Sequence, residues 1–257
     1  MAAELRGGLS FGLSGFSFWS HDIGGFVDKT PEDLFTRWAA FGMLTSHTRS
    51  HGAPPKEAWL LSPEFLKNFR LADEMRYKLM PYIYAQARQC TEKGLPMVRA
   101  LFVEFPQDAG AWLVDNEYMF GSDMLVAPMF EAAQQRSVYL PAGKWIDYQS
   151  GQVYSGGWQT LKPGAVQAVV LVRDGAVIPH IKLAQSTMQM DWKSLHLVAY
   201  SADAQSAKGY VCLPADNVLR EVTLTKQGSG FQLANDPLKG KVTWQVQTNG
   251  EYAKAGE

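Results

Sequence analysis

The sequence predicts an α/β segment that gives way near residue 95 to an all-β one. Three observations carry this. Residues 15–94 read strand, helix, strand, helix, the alternation that builds a parallel sheet. From Leu95 onward the apolar runs are short and punctuated by glycine and proline, as in β-sandwiches. The string Gly15-Phe16-Ser17-Phe18-Trp19-Ser20-His21-Asp22-Ile23-Gly24-Gly25-Phe26 is largely apolar and aromatic and has no Lys or Arg, which fits a strand buried on both faces.

Taken in order, Leu5, Leu9 and Leu13 recur every fourth residue and predict a short helix over 2–14 with the leucines inward. The strand over 15–26 carries His21 and Asp22 near its carboxyl end. Burying a charge there is costly unless something compensates it, and α/β sheets build their sites at that end. Gly24 and Gly25 permit a sharp turn that delivers Phe26 to a pocket. A turn or cap role for Asp22, with the aromatics as core, weighs equally on this string alone. Thr30-Pro31-Glu32-Asp33 predicts a helix start with Thr30 as N-cap and Pro31 in the first position. Leu34, Phe35, Trp38, Phe41 and Met43 line its inner face.

Leu44–Gly52 is β-prone and ends in a polar cluster. Ser62-Pro63-Glu64 opens a longer helix, with Phe65, Phe69, Ala72, Met75, Leu79 and Ile83 inward. Pro81 bends or divides it, and Gly94 stops it. Strands are then predicted at 97–105, 124–129, 137–140, 166–172, 195–199, 209–213, 220–225 and 242–246. Pro141–Lys144, Gly156-Gly157 and Gly228–Gly230 are read as turns. A polar, Met- and Gln-rich break over 181–194 separates two β units, giving domains 1–94, 95–185 and 186–257.

The 257 residues carry 24 Lys+Arg against 25 Asp+Glu, so charge offers no argument for nucleic acid. Hydrophobic content of 46% is globular, and no run reaches the ~18–20 apolar residues of a membrane span. Cys90 and Cys212 make no metal-ligand spacing and are expected as buried free thiols. His21 with Asp22, and His47 with His51, are too few for a metal site; no metal and no cofactor are expected. Met1–Leu9 reads as the interior of a helix, so the lack of a targeting signal leaves cytoplasmic and exported locations both open. A homo-oligomer is also left open.

Phe18–Phe26, then Ser46-His47-Thr48-Arg49-Ser50-His51-Gly52, then Met80-Pro81-Tyr82-Ile83-Tyr84 together resemble glycoside hydrolase family 31, the family of α-glucosidases and α-xylosidases. Pro96–Ala100 with Glu104-Phe105-Pro106, Tyr118–Pro128 and Tyr139–Trp145 continue the resemblance to about residue 180. It implies the last strands and helices of a (β/α)8 TIM barrel followed by C-terminal β-sandwich domains. Residues 15–26 and 44–52 would be barrel strands seven and eight, 53–94 the closing helical region, 95–180 a proximal sandwich and the rest a distal one.

The resemblance also implies chemistry. Retaining glycoside hydrolysis needs two carboxylates about 5–5.5 Å apart. In this family both are aspartates on earlier strands, the nucleophile in a Trp/Lys-x-Asp pattern, so both are expected upstream of Met1 and this chain is expected to be inactive alone. Its partners would be an α-linked oligosaccharide or glycoside and a polypeptide carrying the amino-terminal half of the barrel. His51 matches a histidine that hydrogen-bonds the sugar, and Phe26 an aromatic that lines the pocket. Asp22 matches an aspartate at the pocket floor, read as holding its neighbours in place. Trp19 and Arg49 are weaker pocket candidates, Trp19 as barrel core and Arg49 in a buried ion pair. The competing reading is a non-catalytic carbohydrate-binding or assembly module, with Trp112, Trp145, Trp158 and Trp192 as a stacking platform.

Overall fold

A computed structural model describes residues 1–249; the predicted distal unit 186–257 runs past them. Helix α1 (Ala2–Leu13) buries Leu5 and Leu9. Leu13, expected inward, is 55% exposed. The contact row is instead completed by Gly8 against the Trp19 indole and by Gly12 against Pro96, which rotates Leu13 to solvent.

The predicted strand over 15–26 shrinks to β1 (Asp22–Ile23), paired in parallel with β2 (Arg49–Ser50) through Asp22↔Arg49 and Ile23↔Ser50. The rest of that stretch satisfies its backbone without a ladder. The Ser46 hydroxyl accepts from Trp19 N–H at 2.9 Å and donates to its carbonyl at 2.5 Å, and Met97 N–H donates to the Ser17 carbonyl at 2.9 Å. Phe16 and Phe26 consequently stand half exposed rather than buried.

Helix α2 (Glu32–Met43) starts with Pro31 in the capping position. Thr30 is not its cap, because the hydroxyl donates to the Gly24 carbonyl instead. The buried Arg37 leaves this helix to donate to the Met129 and Phe130 carbonyls at 3.1 and 2.7 Å. Ser62 caps α3 (Pro63–Lys78) by accepting from Phe65 N–H at 3.1 Å. Pro81 sits in the first turn of α4 (Met80–Lys93), so the long helix divides at Leu79. Gly94 ends α4 in the left-handed region, φ 66°.

The β part holds two six-stranded sheets. The first comprises β3 (Val98–Arg99), β4 (Tyr118–Phe120), β5 (Met124–Pro128), β6 (Arg136–Asp147), β7 (Val153–Leu161) and β8 (Ala168–Arg173), ordered β3-β4-β5-β8-β6-β7. A short helix α5 (Leu101–Glu104) replaces most of the strand predicted over 97–105. Pro141–Lys144 makes no turn; it is a register shift inside β6, and Gly156-Gly157 lies opposite it in β7. Leu125, Ala127, Val169 and Leu171 face one core, and Met124, Val126, Val170 and Val172 face the other, so this sheet is buried on both sides.

The second sheet contains β9 (Ala176–Ile181), β10 (Ser194–Tyr200), β11 (Ser206–Cys212), β12 (Leu219–Gln227), β13 (Gly230–Leu233) and β14 (Thr243–Thr248), ordered β13-β12-β11-β9-β10-β14. Sheet membership therefore changes at Asp174-Gly175, ahead of the polar break over 181–194. Strands β8 and β9 are buried almost throughout, and the Asp174-Gly175 turn between them is a local signal that sequence reasoning overlooked in favour of the longer polar break. The Tyr148 hydroxyl and His180 Nε2, 2.8 Å apart, link the two sheets. Cys90 and Cys212 are free and buried. Among the described residues no helix is long and apolar enough to cross a membrane.

Candidate functional site

The site begins where β1 stops. Gly24 and Gly25 take φ +83° and +74°, and Gly25 N–H closes a turn onto the Asp22 carbonyl at 2.9 Å. A Cβ on Gly24 would sit 2.8 Å from the Phe35 ring, so both conformation and space demand glycine. The turn presents Phe26. From β2 the chain runs into His51 and Gly52, and Ala53 N–H donates to the Phe26 carbonyl at 2.7 Å. A Cβ on Gly52 would stand 2.7 Å from that carbonyl oxygen, so the two loops approach this closely only with glycine there.

Phe26 and His51 are thereby brought together, with ring centroids 5.5 Å apart and planes 48° from one another. Phe26 is 50% exposed. His51 opens onto a cleft of about 440 Å³ shared with Ser50, Pro55, Trp59 and Phe69. Asp22 lies behind this pair and meets Arg49 through Oδ1 and Nε at 2.6 Å. The pair joins register partners of the parallel ladder. It is not the buried ion pair expected, because the Arg49 side chain is 59% exposed.

Trp19 is not at the cleft; its indole is buried against Gly8 in the core. His21 is buried too, stacked on Phe41 at 4.4 Å, and burial pulls its pKa down to about 4. His47 meets Phe18 edge-on at 6.1 Å. Among the described residues no three His, Cys, Asp or Glu side chains are placed to hold a metal ion.

A Trp-x-Asp string does occur in this chain, at Trp145-Ile146-Asp147, although the nucleophile in that pattern is expected upstream of Met1. It lies in β6, remote in topology from β1 and β2. Asp147 Oδ1 there accepts from the Gln149 and Ser150 N–H groups at 3.0 and 2.7 Å, a turn-capping role. The four tryptophans form no single platform. Trp145 is buried, Trp112 stacks on Phe102, Trp158 leans on Tyr139 and Trp192 meets Tyr84.

Sequence reasoning overlooked Lys56. Its buried ammonium donates to the Gly24 and Asp28 carbonyls and the Thr30 hydroxyl at 3.0, 2.9 and 3.1 Å. A lysine following Pro54-Pro55 in an irregular loop carries no periodic signal that would mark it as buried.

Residues 1–86 match the glycosyl hydrolases family 31 TIM-barrel domain, and residues 94–178 the glycosyl hydrolase family 31 C-terminal domain. The chain belongs to glycoside hydrolase family 31. Among its family 31 relatives, α-xylosidase XylQ of Lactiplantibacillus pentosus is 43% identical over 260 residues, covering 98% of this chain and 34% of that protein. An α-xylosidase of Emericella nidulans is 38% identical over 189 residues, 70% of this chain and 24% of its own. The chain thus spans about one third, or less, of the length of these relatives. In structure it is similar to a family 31 dextranase of Flavobacterium johnsoniae complexed with glucose. The TM-score is 0.82 and the identity 27%, over 90% of this chain and 31% of that one. The family 31 α-xylosidase of Xanthomonas citri gives a TM-score of 0.81 at 25% identity, over 99% of this chain and 32% of that one.

Proposed function

We propose that this chain supplies one wall of the sugar site of a retaining α-glycosidase acting on terminal α-xylosides or α-glucosides. The observation that carries the reading is the Phe26–His51 pair, held by two close-packed loops at the carboxyl ends of parallel strands. An apolar ring beside an imidazole suits a pyranose, whose faces are apolar and whose rim carries hydroxyls. His51 hydrogen-bonds a ring hydroxyl, a contact that favours catalysis to the extent that it strengthens as the ring flattens toward the oxocarbenium-like transition state. Phe26 covers an apolar face. Asp22, paired with Arg49, braces the ladder from which both loops leave. The relatives named as α-xylosidases and α-glucosidases support this substrate class.

In this reading β1 and β2 are the seventh and eighth barrel strands, and the nucleophile and the acid/base come from the first six, which residues 1–257 do not hold. The chain by itself is then inactive. Mixing it with a polypeptide that carries those six strands yields hydrolysis of aryl α-xylosides or α-glucosides with retained anomeric configuration, followed by NMR. His51→Ala lowers kcat/KM of the reconstituted assembly about tenfold or more, the scale of one lost hydrogen bond in the transition state. Enzyme-like turnover by residues 1–257 alone would refute the division of labour, and an unchanged kcat/KM in His51→Ala would refute the sugar contact.

A further inference from the structure

We propose that Lys56 is a positioning residue whose ammonium serves as a built-in monovalent cation, pinning the turn that presents Phe26 to the loop that presents His51. The inference rests on the reading of Phe26 and His51 as sugar contacts, but the pin itself stands on geometry alone.

The side chain crosses from one loop to the other. At its root, the Lys56 carbonyl accepts from the Ser50 hydroxyl at 2.9 Å, beside His51 on the end of β2. Along its stem, Cε lies 2.7 Å from where a Gly52 Cβ would be, so the lysine passes directly over the residue following His51. At its tip, all three acceptors belong to the 24–30 loop: the Gly24 carbonyl, the Asp28 carbonyl and the Thr30 hydroxyl. The Thr30 hydroxyl in turn donates to the Gly24 carbonyl, which closes the set. Phe35, the ring that restricts Gly24, lies 5.7 Å from Nζ at its centroid.

Every acceptor is a neutral oxygen, so the arrangement is the kind that cradles a dehydrated monovalent cation, here carried on a tether. A buried charge without such acceptors is expensive. Burial lowers the lysine pKa, and the Asp28 charge opposes that shift. Ammonium and loops thus need one another. The three donors leave a lysine tip little freedom, and Ala53 N–H to Phe26 carbonyl completes the clamp.

The test reads the clamp directly, without activity. In the wild-type chain, the Lys56 ¹⁵N-ammonium resonance persists at neutral pH, while that of Lys29, which is exposed, exchanges away. Lys56→Met, which keeps the stem and removes the cation, raises amide exchange of Ala53 at least about tenfold, while Val126 and Val198 in the sheets stay protected. In Lys56→Ala, methylammonium chloride restores Ala53 protection and choline chloride at the same ionic strength does not. A vanished Lys56 resonance in the wild type overturns the proposal whatever the variants do. So does unchanged Ala53 exchange in Lys56→Met, or exchange that rises equally at all three amides. In the assembly reconstituted as above, Lys56→Met raises KM about tenfold with a smaller fall in kcat. A loosened Ala53 with unchanged KM would leave the pin standing and count against the sugar site.

Discussion

Residues 1–94 and residues 95–249 contribute to one buried cluster, which includes Leu5, Trp19 and Phe41 as well as Met124, Val126 and Val170, but they do so from different frameworks. In the sheets, neighbours such as Leu125 and Val126, or Val170 and Leu171, are fully buried on alternate faces. In the α/β segment the two strands are two residues each, and Phe11, Phe16, Phe26, Val27, Trp59 and Leu60 stand exposed. Six paired strands satisfy their own ladder and present two broad faces to pack; a single rung does neither. The α/β segment keeps a small core of its own around Ile23, Phe35 and Phe65 and is tied to the first sheet by side chains. Arg37 on α2 reaches the Met129 and Phe130 carbonyls at 3.1 and 2.7 Å, and the Tyr118 hydroxyl on β4 reaches the Leu44 carbonyl at 2.8 Å. The sheets therefore supply the regular framework and the α/β segment the candidate site, a division that measurement can break.

The largest contrast is expected from truncating leucines. Leu125→Ala removes a side chain with no exposure and should cost about 3 kcal/mol, whereas Leu13→Ala on α1 should stay within about 0.5 kcal/mol. Urea midpoints at constant m-value measure both. Equal losses would mean that the two regions share one cooperative core on equal terms. Ion pairs should divide the same way. Glu104 takes contacts from Arg99, whose side chain is 1% exposed, and from Arg173. Glu104→Ala strands a buried guanidinium and should cost about 3 kcal/mol. Asp22→Asn, which breaks the pair to the exposed Arg49, should cost about 1 kcal/mol or less. A larger loss for Asp22 would reverse the ranking of the two regions.

A third contrast is with pH. Burial pushes the Glu117 carboxyl up from its ordinary 4.5 to about 8, opposed by Arg136 and by the Tyr139 N–H. Below 4.5 folded and unfolded chains both hold the proton. Between 4.5 and 8 only the folded chain holds it, so stability falls as pH rises through that window. Glu117→Gln should remove this fall, so its gain on the wild type should grow from pH 5 to pH 8, by up to about 1.4 kcal/mol per pH unit, read from midpoints at each pH. On the acid side the regions do not differ in kind. His21 is pulled down to about 4 and His180 to about 3, both by burial, so each loses stability as pH drops below the ordinary 6.5. An alkaline loss that survives in Glu117→Gln would place its origin in another carboxyl raised by burial, Asp123 or Asp147.

The same division explains what could be read from the chain of letters. Helices α2 to α4 and the turn at Gly228–Gly230 were legible, because apolar spacing, Ser62, Pro81 and Gly94 act locally. The candidate Phe26–His51 pair was legible only through family resemblance, since a parallel rung joins residues far apart in sequence. What failed was non-local. The Gly15–Phe26 run has strand character but only one short partner, Thr30 prefers the Gly24 carbonyl to its own helix, and Pro141–Lys144 is absorbed as a bulge because β7 supplies glycines opposite. Lys56 was invisible because its acceptors come from a loop with no side-chain pattern.

The smallest stability change should come from the residue expected to touch the sugar. Phe26 is half exposed, its carbonyl rather than its ring holds the Ala53 loop, and its ring neighbour is the equally superficial His51. Truncation to alanine leaves the backbone bond in place, so Phe26→Ala should change the unfolding free energy by no more than about 0.5 kcal/mol. In the reconstituted assembly the same substitution should lower kcat/KM about tenfold, equivalent to about 1.4 kcal/mol of transition-state binding. The two readouts oppose one another by design. A ring that packs the fold loses stability first and turnover as a consequence, while a ring that faces substrate loses turnover alone. A stability loss of 2 kcal/mol or more would return Phe26 to the core and leave His51 without its aromatic neighbour as a ligand contact.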